Sequence, residues 1–231
     1  MLLTGDDKLF RTIADRYDLL NHLLSLNIDR GWRKSLVKCA GLRTGERILD
    51  VCTGTGDIAI RFAREGGAGK IVGIDLSEEM LRIAEGKAGA KGLEGRITLL
   101  RGDALSLPFP KGSFDIVSIG FGLRNLRDRQ KGISETVRIL KPGGRALILE
   151  FAPPGRGIFG VGYQVYLKTI IPLIGGIVSG SMDAYRYFSA SIVNFLEPDE
   201  VVELLQQEGL GNIHFKALTG GIAYIYQGEK E

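Results

Sequence analysis

The stretch Ile48-Leu-Asp-Val-Cys-Thr-Gly-Thr-Gly-Asp-Ile-Ala59 decides the fold. An apolar run enters a glycine turn, and a helical pattern follows. Gly54-Thr-Gly56-Asp-Ile-Ala59 fits the G-x-G-x-x-G/A spacing of a nucleotide-binding strand–turn–helix. Many α/β proteins need glycine at such a turn only so that the helix can pack on the sheet. The turn therefore fixes the local structure and leaves the ligand open.

Downstream, short apolar runs alternate with helical patterns. The strand candidates are Arg47–Cys52, Lys70–Asp75, Ile97–Leu100, Phe114–Gly120 and Arg145–Phe151. Helices fit at Asp57–Arg64, Glu78–Ala88 and Asp128–Leu140. This alternation predicts an α/β fold: a mainly parallel, doubly wound sheet with helices on both faces. Upstream, Phe10, Ile13, Ala14, Tyr17, Leu20 and Leu24 recur at helical steps between about Asp6 and Asn27. A second helix fits Arg30 to Ala40, with Gly41 at its C′ position. Residues 1–41 thus read as a helical cap on a single domain.

The alternation stops after Phe151, where Pro153-Pro154-Gly155 opens an insertion over 152–195. From Gly157 to Val178 the chain is mostly apolar, with Lys168 its only charge. Gly160, Gly162, Pro172, Gly175 and Gly176 interrupt it, which argues against a membrane span. Two readings stand: a mobile lid that meets an apolar ligand, or helices that pad the core. As a lid it would also suit transient contact with a bilayer. Pro198 then opens a helix. Asn212–Ala217 and Ile222–Gln227, around Thr-Gly-Gly, form a hairpin, so the last strands are expected to be antiparallel.

The bulk numbers exclude several classes. At 231 residues and 44% apolar, the chain can bury a full core. A net charge of +3 without a basic stripe argues against a nucleic-acid partner. Cys39 and Cys52 stand in no metal spacing, so neither a metal site nor a disulfide framework is expected. No secretory pattern opens the sequence, and a cytoplasmic location fits.

Charge narrows the ligand. Asp57 follows Gly56 directly and would satisfy the helix N-terminus where a pyrophosphate binds. Asp50, four residues before Gly54, adds a second negative charge. A sulfonium and an ammonium without phosphate, as in S-adenosylmethionine, suit such a turn better than a nicotinamide dinucleotide. Asp75, 19 residues beyond Gly56, stands at a predicted strand end where a carboxylate can accept two ribose hydroxyls. Asp103 follows the third strand, where it can accept from an adenine amino group.

Asp50-Val-Cys-Thr-Gly-Thr-Gly-Asp57, Gly73-Ile-Asp-Leu-Ser77, Gly102-Asp-Ala-Leu-Ser-Leu-Pro-Phe109 and Leu140-Lys-Pro-Gly-Gly144 resemble the ordered motifs of class I methyltransferases. Tyr17-Asp-Leu-Leu-Asn21, Trp32-Arg33, Gly120-Phe-Gly-Leu-Arg-Asn125, Leu149-Glu-Phe151 and Thr219-Gly-Gly-Ile-Ala223 resemble, more narrowly, the quinone-pathway C-methyltransferases. The resemblance covers nearly the whole chain. It implies a Rossmann-like, seven-stranded sheet of order 3-2-1-4-5-7-6 with strand 7 antiparallel. It also implies methyl transfer from S-adenosylmethionine to a ring carbon of a prenylated quinol, such as demethylmenaquinol.

The expected cofactor residues are Asp50, Gly54, Thr55, Gly56, Asp75, Leu76, Asp103, Ala104, Ser118 and Gly120. Of these, Thr55, Asp75, Asp103 and Ala104 follow from the resemblance. Some members carry a serine facing the cofactor where Gly120 stands, and Ser118 lies two residues earlier. Arg124 and Asn125 follow the fourth strand at the ligand edge and are expected to stabilise and orient a phenolate. Tyr17 and Asn21 lie one helical turn apart on one face and join them as catalytic candidates. Trp32 reads either as core packing or as a wall for the quinol. His22 reads as a surface residue, His214 as structural and Cys52 as an inert filler. The alternatives are another small apolar acceptor, a nicotinamide dehydrogenase and a non-catalytic binding protein.

Overall fold

A computed structural model describes residues 27–155, 158–173 and 182–231. Seven strands form one sheet: β1 (Ile48–Val51), β2 (Ile71–Asp75), β3 (Ile97–Arg101), β4 (Phe114–Gly120), β5 (Leu140–Phe151), β6 (Leu210–Leu218) and β7 (Ala223–Lys230). Their order is β3-β2-β1-β4-β5-β7-β6. The β1–β2, β1–β4, β2–β3 and β4–β5 pairs are parallel. β7 runs antiparallel to both β5 and β6, as the hairpin reading expects. In the register of the central strands, Asp50 lies opposite Gly73 on one side and Ser118 on the other.

Helices α1 (Ile28–Cys39), α2 (Asp57–Glu65), α3 (Glu78–Gly89), α4 (Arg129–Ile139) and α7 (Pro198–Gln207) surround the sheet. Local chemistry sets their starts. The Ser77 hydroxyl accepts from the Met80 amide at 3.3 Å, and Asp128 Oδ1 accepts from the Lys131 amide at 2.9 Å. Glu200 reaches back to accept from the Glu197 amide at 2.7 Å, ahead of Pro198. Gly41 takes φ 55° after α1, the left-handed stop expected of a C′ glycine.

Alternation along the buried strands divides the core. Ile48 packs with Trp32, Leu36 and Phe62 on one face. Leu49 and Val51 pack with Val117, Leu123, Ile133 and Val201 on the other. Each fully buried aliphatic side chain contributes about 1.5–3 kcal/mol. The fifth strand begins at Leu140 and not at Arg145, because Leu140 already pairs with Phe114 before the register shifts to Ile116–Arg145. Lys141-Pro-Gly-Gly144 is the bulge that absorbs the shift.

The insertion contributes α5 (Ile158–Val165), a π-helical turn at Tyr166–Ile170 and α6 (Met182–Val193). Leu167, Ile171, Tyr185 and Ile192 form its own small core, which leans on Phe151 at the end of β5 and on Phe188. The insertion therefore roofs the C-terminal edge of the sheet at β5. Among the described residues, no helix is long and apolar enough to cross a membrane.

Candidate active site

The C-terminal ends of the parallel strands form one edge, where ligands of such sheets bind. Backbone strain collects there. Cys52 after β1, Phe121 after β4 and Thr219 after β6 all take left-handed conformations, with φ 54°, 58° and 46°. Such residues cost on the order of 1–3 kcal/mol each and tend to cluster at functional sites. The first two turns are packed together. A Cβ on Gly122 would stand 2.5 Å from Cys52 Cβ, so the turn after β4 must be bare at that position.

Around the β1 turn, acids accept backbone donors. Asp75 Oδ2 accepts from the Gly54 amide at 2.8 Å, and its Oδ1 accepts from the Ser77 amide at 2.9 Å. These two amides fix the carboxylate at the end of β2, beside the glycine loop. Asp103 Oδ1 accepts from the Leu105 amide at 2.9 Å, and its Oδ2 stands 3.5 Å from Arg127. Leu76 is 36% exposed between these acids, whereas Ala104 is buried. A Cβ on Gly54 would meet nothing within 4 Å, so the loop is open on that side. Two carboxylates at neighbouring strand ends, an exposed apolar side chain and an open glycine loop fit the diol, base and methionine of S-adenosylmethionine.

Other expected cofactor residues face elsewhere. Asp50 is 1% exposed and accepts from Ser118 Oγ and Thr53 Oγ1, both at 2.7 Å. It also takes the Ala59 amide, so it ties β1, β4, the turn and the first turn of α2 together. Burial pushes it up to about 6, and these donors only partly offset that rise. Ser118 is fully buried behind the turn, so the expected cofactor contact is corrected: its hydroxyl serves Asp50. Thr55 is 4% exposed and accepts from Lys87 Nζ at 3.1 Å. Gly56 lets α2 and α3 approach, since a Cβ there would stand 2.9 Å from Ala84 Cβ. At Gly120 a Cβ would stand 2.1 Å from Ile58 Cδ1, so a side chain there requires the end of Ile58 to turn aside.

The charge argument from Asp57 is also corrected. Its carboxylate pairs with Lys87, and Arg33 Nε lies 3.9 Å away, so its negative charge is compensated within the protein. It no longer discriminates between a phosphate and a sulfonium.

Aromatic rings and a buried ion pair line the turn after β4. Arg124 Nη1 donates to Glu150 Oε1 at 2.8 Å and to the Phe121 carbonyl at 2.6 Å. Its Nε donates to Ser191 Oγ at 3.3 Å, and Glu150 Oε2 accepts from the Arg124 amide at 3.1 Å. The two side chains are 2% and 0% exposed. Arg124 was expected to offer its fork to a phenolate. The structure corrects this: the guanidinium is turned inward, and it braces the turn between β5 and the roof. Its carbon lies 5.3 Å from the Phe151 ring and 5.2 Å from that of Phe188. Asn125 Nδ2 reaches the same Phe121 carbonyl at 3.4 Å, while its Oδ1 is buried and has no hydrogen-bond partner among the described residues.

Trp32 belongs to the core. Its Nε1 donates to Thr219 Oγ1 at 2.9 Å, and its ring meets Phe151 edge-on at 5.8 Å. Burial, with carboxylates nearby, pushes the Cys52 thiol up, in keeping with an inert filler. Tyr17, Asn21 and His22 lie outside the described residues. Two residues escaped the sequence reading. Glu150 was visible only as an acid inside an apolar strand, a position that demands a partner. Tyr163 carried no signal beyond its place in the insertion.

The model of the ubiE/COQ5 methyltransferase family matches residues 5–230. Demethylmenaquinone methyltransferase of Thermus thermophilus is 44% identical over 96% of this chain and 100% of its own length. The ubiquinone/menaquinone biosynthesis C-methyltransferase of Geobacter sulfurreducens is 44% identical over 96% of this chain and 87% of its own. Among solved structures, a SAM-dependent methyltransferase of Thermotoga maritima superposes with a TM-score of 0.70 at 18% identity, covering 97% of this chain and 99% of its own, a likeness of fold. With its glycine turn, its three strand-end acids and a family match across nearly its full length, the chain belongs to the ubiE/COQ5 methyltransferase family.

Proposed function

We propose that the chain transfers a methyl group from S-adenosylmethionine to a ring carbon of a prenylated quinol, with demethylmenaquinol as acceptor and menaquinol as product. The observation that carries this reading is the juxtaposition at one sheet edge. A carboxylate-lined turn at Gly54–Asp75 stands beside an aromatic turn at Phe121–Asn125, and an apolar insertion covers the latter. The relatives matched over nearly the whole chain bear the names of quinone-pathway methyltransferases.

When bound, S-adenosylmethionine would supply an electrophilic methyl group, its sulfur–carbon bond breaking with the electron pair going to sulfur as the ring carbon takes the methyl and the ring proton passes to water. Asp75 binds the ribose diol through charge-assisted bonds, and the Gly54 and Ser77 amides hold its carboxylate in place. Asp103 accepts from the adenine amino group, and Leu76 packs on the base. Asp50 acts through Thr53 and Ala59, fixing the shape of the turn. On the acceptor side, Arg124 and Glu150 hold the turn that carries Asn125. Asn125 Oδ1 accepts from a quinol hydroxyl. Tyr17 and Asn21 remain further candidates for handling the phenolic and ring protons. Excluding water keeps the acceptor close to the methyl group for an in-line displacement.

The insertion serves as the lid. Val161, Val165, Ile170 and Leu173 are 61%, 53%, 40% and 55% exposed on its outer surface. That surface suits a peripheral contact with the cytoplasmic side of the membrane, where a long-tailed quinol resides.

The test is turnover with methyl-labelled S-adenosylmethionine and reduced demethylmenaquinone in detergent. Label is expected on a ring carbon, and none when the acceptor is left oxidised. Label recovered as a methyl ether, or no transfer to any prenylated quinol, would overturn the reading.

A further inference from the structure

A polar atom buried without a partner is uncommon in a folded protein, and each one calls for a reason. Two such atoms flank the turn after β4. The Tyr163 hydroxyl on α5 and the Asn125 Oδ1 are both buried and lack a hydrogen-bond partner among the described residues. One is a donor and the other an acceptor. Both border the same group. Asn125 shares the Phe121 carbonyl with Arg124, and the Arg124 charge acts on the Tyr163 phenol. The orientation of α5 agrees. Val161 and Val165 face solvent, while Tyr163 between them turns toward the small core of the insertion and the end of β5.

A hydroquinone hydroxyl is itself both donor and acceptor, so it complements this pair. We infer that Tyr163 is a catalytic residue contributed by the roof, whose hydroxyl donates to an oxygen of the quinol ring while Asn125 Oδ1 accepts from the acceptor's hydroxyl. This rests on the quinol reading and deepens it, by making the insertion part of the acceptor site. Burial pushes the Tyr163 phenol well up, and the neighbouring Arg124 charge opposes the rise. It therefore stays protonated at neutral pH and serves as a donor. A donor at the ring oxygen stabilises the negative charge that makes the ring carbon nucleophilic.

Tyr163→Phe tests the inference, since it deletes one hydroxyl and keeps the ring. With demethylmenaquinol as substrate, kcat/KM should fall roughly 10- to 100-fold. Affinity for S-adenosylmethionine, read by calorimetry, should not change. Tm should stay the same or rise, because the deleted hydroxyl bonds to none of the described residues in the free protein. Asn125→Ala should lower kcat/KM in the same substrate and combine less than additively with Tyr163→Phe, since both act on one acceptor. A Tyr163→Phe protein that turns over within twofold of wild type would overturn the inference. So would a loss of activity matched by a fall in Tm, the mark of a structural role. Those outcomes leave the function itself standing if the wild type is active. An inactive wild type removes both readings.

Discussion

The turn after β1 passes through a left-handed residue at Cys52, φ 54°, and the turn after β4 passes through one at Phe121, φ 58°. Both leave a parallel strand at the same sheet edge, and they touch through Gly122. Their surroundings differ in sign and in polarity. The first is ringed by Asp50, Asp75 and Asp103, whose oxygens accept backbone amides and hydroxyls. The second is ringed by Phe151, Phe188 and the Arg124–Glu150 pair. One backbone device has thus been furnished twice. An acidic, hydrogen-bonding setting suits a cationic methyl donor, and an aromatic setting whose buried ion pair is neutral overall suits an apolar ring.

The comparison breaks most visibly at Glu150. Removing one member of a fully buried ion pair leaves the other charged and unpaired, which costs about 3–5 kcal/mol. Glu150→Ala should therefore lower the unfolding free energy by that amount in urea titrations. An effect below about 1 kcal/mol would mean that the aromatic turn does not depend on the pair.

Asp50 sharpens the acidic side. Its folded value of about 6 lies above the ordinary 3.8. A group raised on folding favours the folded state fully below its unfolded value, and that contribution is lost as pH rises through the folded one. The loss for Asp50 amounts to about 3 kcal/mol between about pH 4 and 6. Asp50→Asn should remove this slope, so its stability relative to wild type should rise across that window. Parallel pH profiles for the two proteins would refute the assignment.

The smallest effect concerns the contact between the turns. Gly122→Ala forces a Cβ against Cys52 and should cost about 1–3 kcal/mol. Cys52→Gly removes the opposing Cβ and suits the left-handed backbone. The double variant should recover most of the loss. Additive costs in the double-mutant cycle would show that the turns are not coupled.

Much of the frame was legible in the sequence for simple reasons. Apolar runs of five or six residues bounded by glycine and acid marked the parallel strands, and Thr-Gly-Gly marked the antiparallel hairpin. The places of Asp75 and Asp103 at the sheet edge were legible because one closes β2 and the other follows β3 by two residues. What escaped was pairing at a distance. Ser118 sits opposite Asp50 in the register of two strands 68 positions apart, so its hydroxyl was taken before any ligand arrived. Arg124 looked available in a loop because its partner lies 26 residues later in a buried strand. Lys87 neutralises Asp57 from another helix 30 residues away. Ser118 and Arg124 were assigned to the ligand and Asp57 to an uncompensated charge, when the protein itself held all three.

The hydrogen bond from Trp32 to Thr219 spans 187 positions of the chain. A ribosome adding roughly 5–20 residues per second needs about 10–40 s to cover that distance. Throughout that interval the indole nitrogen of α1 has no Thr219 to bond, and β5 waits with an unpaired edge for β7, which arrives last. Between the synthesis of β5 and that of β7 the nascent chain therefore carries an open strand and an incompletely seated aromatic cluster, the state in which chains are most exposed to aggregation. The β6–β7 hairpin closes the sheet and supplies Thr219 in one step, so the acceptor edge is completed only after the last strand of the sheet has been made.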